Sequence, residues 1–328
     1  MAPVIDVHSH MFSRRWLALL AERGGPDLTV ASSIDSPETL YHKGASFCVL
    51  EPAHFDWSAR IEAMDRAGVD MAIISLPAPS VFWGGAEISR EAAELANDEF
   101  AEAAARWPDR IRWMASLPWQ YPDLAVRELA RATAHGAVGV LVLGNIEGRD
   151  LIDPLFAPVW QAIDDLALPV LLHPTAPPGG DALDLRKYAL VASTGFMIDT
   201  TVAIAKMIFD GFFDRYPALK LIAAHAGATL PFLAGRFDRV FEKTGRAKEK
   251  IARPPSDYLR HIYYDAVTYR PESLALTLAV GGAEQVMYGS DFPFNIGDME
   301  GCLARVNALP DDSRQKVRGE NARRIFRL

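Results

Sequence analysis

Cysteine is nearly absent from this chain: 328 residues hold two, Cys48 and Cys302, far apart and outside any C-x-x-C pattern. A disulfide framework is excluded on that count, and a reducing compartment fits. Positive charge is in deficit as well, with 34 Lys and Arg against 42 Asp and Glu and a net charge of −8. Phosphate backbones need a basic face, so nucleic acid is not an expected partner. No uncharged apolar run approaches the roughly 18 residues of a membrane span. The opening Met-Ala-Pro-Val-Ile-Asp-Val-His shows no basic segment leading into an apolar one. A soluble, cytoplasmic protein without a membrane role is expected. Internal repeats and low-complexity tracts are missing too.

What is present is a regular alternation. Half of the residues are hydrophobic, enough for a large core. Short aliphatic runs predict eight strands, at Val4–Val7, Val69–Ser75, Ile111–Leu117, Ala137–Leu143, Leu168–His173, Leu219–His225, His261–Asp265 and Gln285–Ser290. Most are continuously apolar, as parallel strands covered on both faces must be. Amphipathic segments lie between them: Trp57–Ala67, Ser89–Trp107 with Ser89 as N-cap, Asp123–His135, Pro154–Leu166, Ile198–Tyr216 and Thr229–Lys243. Arg314–Phe326 adds a terminal helix. Eight strands alternating with helices predict an α/β chain folded as a single (β/α)8 TIM barrel over residues 1–328. Two stretches break the rhythm, residues 11–56 and 174–197. The first is far longer than an ordinary βα loop. Both leave the carboxyl ends of strands, where barrels build their sites, and are expected to serve as a lid or substrate wall.

The chemistry begins at Asp6-Val7-His8-Ser9-His10. Residues two apart on a strand face the same way, so His8 and His10 project together. An isolated H-x-H has a bland reading, a strand-end pair touching water. Its neighbours change the odds. Four of the eight histidines close predicted strands on one rim: His8, His10, His173 and His225. Asp291 follows the eighth strand in Gly289-Ser290-Asp291-Phe292-Pro293-Phe294. Imidazole nitrogens after an apolar strand need partners, and imidazoles with a carboxylate suit zinc, manganese or iron. Histidines 42, 54, 135 and 261 lack such context and read as surface or packing residues. Trp83, Trp119, Phe196, Phe292 and Phe294 fall near loops at the mouth, where they could wall a planar ligand or simply fill the core.

The opening Ile5-Asp6-Val7-His8-Ser9-His10, Leu172-His173-Pro174, the segment from Ala224-His225-Ala226-Gly227 to Phe232, the Gly289–Phe294 segment and Gly319-Glu320-Asn321-Ala322-Arg323-Arg324 together resemble the aminocarboxymuconate-semialdehyde decarboxylase branch of the amidohydrolase superfamily. The likeness runs over nearly the whole chain. It implies a metal-dependent, nonoxidative carboxy-lyase acting on a small aromatic or unsaturated carboxylic acid. It assigns His8, His10, His173 and Asp291 to one divalent ion, zinc first and manganese second, and His225 as the unliganded acid/base; His225 or Asp291 delivers the proton. It also implies a homodimer. A single ion agrees with Leu141-Val142-Leu143-Gly144 at the end of the fourth strand, which offers nothing to bridge two. The alternative is a hydrolase, lactonase or hydratase of the same superfamily, using metal-activated water. Gapless matching places Cys48 where the semialdehyde decarboxylase carries a carboxylate-binding arginine. A thiol cannot replace a guanidinium fork, so a less anionic acid, such as a hydroxybenzoate, is expected.

Overall fold

The computed structural model describes residues 2–33, 36–42 and 45–328. Eight parallel strands follow one another around a single sheet: β1 (Ile5–His10), β2 (Met71–Ser75), β3 (Ile111–Ala115), β4 (Gly139–Leu143), β5 (Pro169–His173), β6 (Lys220–Ala223), β7 (Tyr263–Asp265) and β8 (Val286–Met287). The ring is drawn together between β1 and the segment after β8. Val7 N–H donates to Tyr288 O (3.0 Å), His10 N–H to Phe292 O (2.8 Å) and Asp291 N–H to His8 O (2.9 Å). This is the expected (β/α)8 barrel.

Alternation along each strand sorts the core into two layers. Ile5, Val7, Ile73, Met114, Leu141, Leu143, Leu171, Ile222 and Met287 fill the barrel interior, with Ala322, Ile325 and Phe326 of the last helix, Asn321–Phe326, packed on the same cluster. The outer layer packs strands on helices, including Trp113, Trp160, Phe100 and Met207.

Most helices lie where the apolar period puts them. Trp57–Ala67 is capped by Asp56, whose carboxylate accepts from Ser58 and Ala59 N–H. The second predicted helix starts earlier than expected, at Gly85, so Ser89 is an interior residue and not an N-cap. Its hydroxyl donates to Val81 O instead. Helices Arg14–Arg23, Pro255–Leu259, Pro271–Gly281 and Met299–Asn307 went unpredicted. The β6 strand ends at Ala223 and not at His225, because His225 and Ala226 turn into left-handed backbone.

The long segment after β1 contains helix Arg14–Arg23 and an antiparallel three-stranded sheet, Leu28–Ser33, Ser36–His42 and Ala45–Val49. Lys187–Phe209 is long and apolar enough to cross a membrane by length and composition. Within it Asp199 is buried, held by Asn145 Nδ2 (2.8 Å) and Thr175 N–H (2.9 Å), which ties this segment to the barrel.

Candidate metal centre

A bulge aims the first strand. In β1 the register with β2 shifts between Asp6 and Ser9, so the inward parity passes from Ile5 and Val7 to His8 and His10. Re-aiming a side chain beside a site is a common use of a bulge. On β8 and its extension Met287, Gly289 and Asp291 share one parity, and Asp291 arrives inward two residues after Gly289. His173 closes β5 on the same parity as Leu171. Both His225 (φ 54°) and Asp291 (φ 59°) sit in left-handed backbone, a conformation that costs a non-glycine residue and clusters at functional sites.

These turns bring the predicted residues together. One ligand atom from each of His8, His10, His173 and Asp291 lies within 4.8 Å of the other three, and all four residues are buried. Among the described residues this is the one such group. His8 and His10 face each other through Nε2 at 3.0 Å, and Asp291 Oδ1 stands 3.3 and 3.4 Å from the two. Every outward nitrogen is already engaged: His8 Nδ1 with Asp265 Oδ2 (2.6 Å), His10 Nδ1 with Ser75 Oγ (3.0 Å), His173 Nδ1 with Pro174 O (2.8 Å). A carbonyl only accepts, so His173 carries its proton on Nδ1 and turns a lone pair inward. Asp291 Oδ1 is buried without a hydrogen-bond partner. Lone pairs and a carboxylate oxygen converging in a dry cage repel one another unless a cation sits among them. The donor set fits a divalent ion with an open coordination position.

The electrostatics agree. Burial by itself would lower His8, but Asp265 and Asp291 outweigh it and raise its pKa to about 10. Burial, joined by the charge of His8, drops His10 to about 4 despite Asp291. His173 is held well below its ordinary value by burial and by the neighbouring His10 and His8. Burial would raise Asp291, yet the histidines around it hold its carboxyl well below the carboxylate range. The two carboxylates favour positive charge at this place.

His225 lies against the cage but offers it a different face. Its Nε2 is 3.5 Å from Asp291 Oδ2, and its ring centre is 5.0 Å from that of His8. Its side chain is 10% exposed, against 0% and 1% for His8 and His10, so it is the more reachable group.

Several residues of the site were not assigned a role from the sequence. Asp265, Ser75, Asp6 and Arg60 are buried and hold the ligands from outside. Asp6 accepts from Ser290 Oγ (2.5 Å) and from His8 N–H (3.2 Å), tying β1 to the segment after β8. Arg60 donates to Ser9 Oγ and to His10 O. Asp265 ends a predicted strand on the same rim as the histidines, which is the signal that would have found it. Of the other residues singled out, Phe294 lies 5.4 Å from the His10 ring and 5.7 Å from His54, while Phe292 stacks under Arg60. Trp119 packs on Trp160 in the outer layer, and Trp83 packs on Trp16. His54 is buried beside Cys48, Nε2 to Sγ 3.7 Å. His135 and His261 meet arginines outside the site.

The amidohydrolase family profile matches residues 5–328. The gamma-resorcylate decarboxylase of Polaromonas sp. is 32% identical over 286 residues, covering 82% of this chain and 86% of that protein. The 2-amino-3-carboxymuconate-6-semialdehyde decarboxylase of Dictyostelium discoideum is 26% identical over 97% of this chain and 90% of its own length. Among solved structures, a dihydroxybenzoic acid decarboxylase from Polaromonas sp., with bound manganese and the inhibitor 2-nitroresorcinol, superposes with a TM-score of 0.83. It is 27% identical and covers 100% of this chain and 98% of its own. This chain therefore belongs to the amidohydrolase family, in the branch that holds these decarboxylases.

Proposed function

We propose that the protein is a metal-dependent, nonoxidative decarboxylase of a small aromatic carboxylic acid, a hydroxybenzoate in the first instance. The observation that carries the reading is the inward cage of His8, His10, His173 and Asp291 with His225 against its open side. These four residues would hold one divalent ion, with zinc favoured by the donor set and manganese by the Polaromonas relative. When bound, the ion supplies Lewis-acid charge for the substrate's oxygen atoms.

The chain's own groups do the rest. A proton shared between His225 Nε2 and Asp291 Oδ2 is delivered to the ring carbon that bears the carboxylate. The electron pair of the carbon–carboxylate bond then returns to the ring, carbon dioxide leaves, and the proton replaces it. We read the chain as one domain in which residues 11–56 wall this site. Phe12 and His54 of that insertion stack on each other, and His54 and Phe294 form an aromatic layer beside His10. Cys48 and neutral His54 in this wall suit a hydroxyl or hydrogen substituent better than a second carboxylate. Exposed Phe232, Val202 and Tyr188, on or beside neighbouring helices linked through Thr201 and Thr229, support a homodimer.

The test is carbon dioxide release from a panel of hydroxybenzoates by zinc- or manganese-loaded protein, run beside lactone and amide hydrolysis. Lactone or amide turnover without carbon dioxide release replaces this reading with the hydrolytic one.

A further inference from the structure

Asp265 is buried at the end of β7, and its two oxygens have all their acceptor positions filled. Oδ2 meets His8 Nδ1 at 2.6 Å and accepts from His225 N–H at 2.9 Å. Oδ1 accepts from Ala226 N–H at 2.9 Å and Val267 N–H at 3.0 Å. So one carboxylate touches a residue of the cage and, through the backbone, the residue on its open side. The His225–Ala226 turn needs this help. Both residues hold φ near +55° (54° and 56°) without being glycine, and such backbone persists only where surrounding bonds over-determine it. Space for the arrangement comes from Gly289, where a Cβ would come within 2.9 Å of His8 Cβ and 3.0 Å of Asp265 Cβ.

We infer that Asp265 is a positioning residue that sets the metal ligand His8 and the acid/base His225 together. An acceptor on Nδ1 keeps the proton of His8 there and leaves Nε2 free to ligate, and an anionic acceptor makes that nitrogen a better donor; carboxylate partners of this kind tune metal sites in general. The same oxygens hold the left-handed turn that aims His225 at Asp291. The two duties cannot be separated, because Oδ2 serves both. The inference rests on the reading of His8 as a metal ligand.

Asp265→Asn tests it. Asparagine keeps one acceptor oxygen and offers an NH₂ where the second stood: with its oxygen toward His8 and His225 N–H it is a neutral acceptor and sets donors against Ala226 and Val267 N–H, and turned the other way it sets them against His8 and His225. Zinc affinity, measured by chelator competition, is expected to fall about 10- to 100-fold. At saturating zinc, kcat stays depressed with KM little changed, because the turn is still misaimed. Zinc-loaded wild-type protein is expected to show an exchange-protected, downfield His8 Nδ1–H proton resonance that needs no variant to be observed. Wild-type zinc affinity in Asp265→Asn, or a His8 Nδ1 without its proton in the loaded wild type, overturns the inference. Wild-type protein that binds neither zinc nor manganese instead sinks the metal reading beneath it.

Discussion

His225 and His173 lie 5.6 Å apart, ring centre to ring centre, yet substitution should separate their duties. His173→Ala removes a donor from the cage, and both bound metal and turnover are expected to go. His225→Ala leaves the four donors intact, so metal content should stay while kcat falls by about 10²- to 10⁴-fold, the range of a lost general acid/base. Metal analysis of the two purified variants beside their turnover decides the matter; equal metal loss makes His225 a ligand. The residues of the cage could be read from the chain because each imidazole ends an apolar run where a polar ring has no ordinary business. Asp265 could not be read that way: a carboxylate at a strand end has many uses, and its partners sit 257 and 40 residues away in sequence.

The last helix packs under the barrel, and its Phe326 belongs to the interior cluster with Ile5, Leu141 and Leu171. Phe326→Ala leaves a cavity at that end and should cost about 3–5 kcal/mol, read as a lower urea midpoint. Metal content should not change, since the cage lies at the opposite end of the strands; loss of metal in the folded variant counts against this division. The barrel strands were legible because burial on both faces forces unbroken aliphatic runs. The three insertion strands were not: Leu28–Ser33 and Ser36–His42 mix threonine, serine and charge with few apolar residues, and their pairing is decided by one another. The end of β6 was overrun by two residues for a related reason. The turn at His225 is imposed by Asp265 on another strand, and no local pattern announces it.

At the scale of the whole molecule, acid should weaken the fold through the insertion. His54 Nδ1 accepts from Glu51 N–H at 3.0 Å, so its proton sits on Nε2 and faces Cys48. Burial pushes its pKa from 6.5 down to about 4. Between those values the unfolded chain takes up a proton that the folded one refuses. This contribution to stability is complete above about 6.5 and declines as pH falls toward 4. His54→Asn should lose less stability than wild type across that window in urea titrations; identical losses refute the assignment. Phe232, 78% exposed, should report on the proposed assembly: wild type is expected to sediment as a dimer and Phe232→Glu as a monomer; an unchanged dimer moves the interface elsewhere, and a monomeric wild type ends the dimer proposal. The join between β1 and the segment after β8 has a consequence for biogenesis. Two donors of the proposed metal site come from β1 and another from Asp291, after β8, so a chain still on the ribosome is not expected to complete that site until the segment after β8 has emerged. Tight metal capture is therefore expected only once the ring has closed, and products cut short before β8 are expected to go without it.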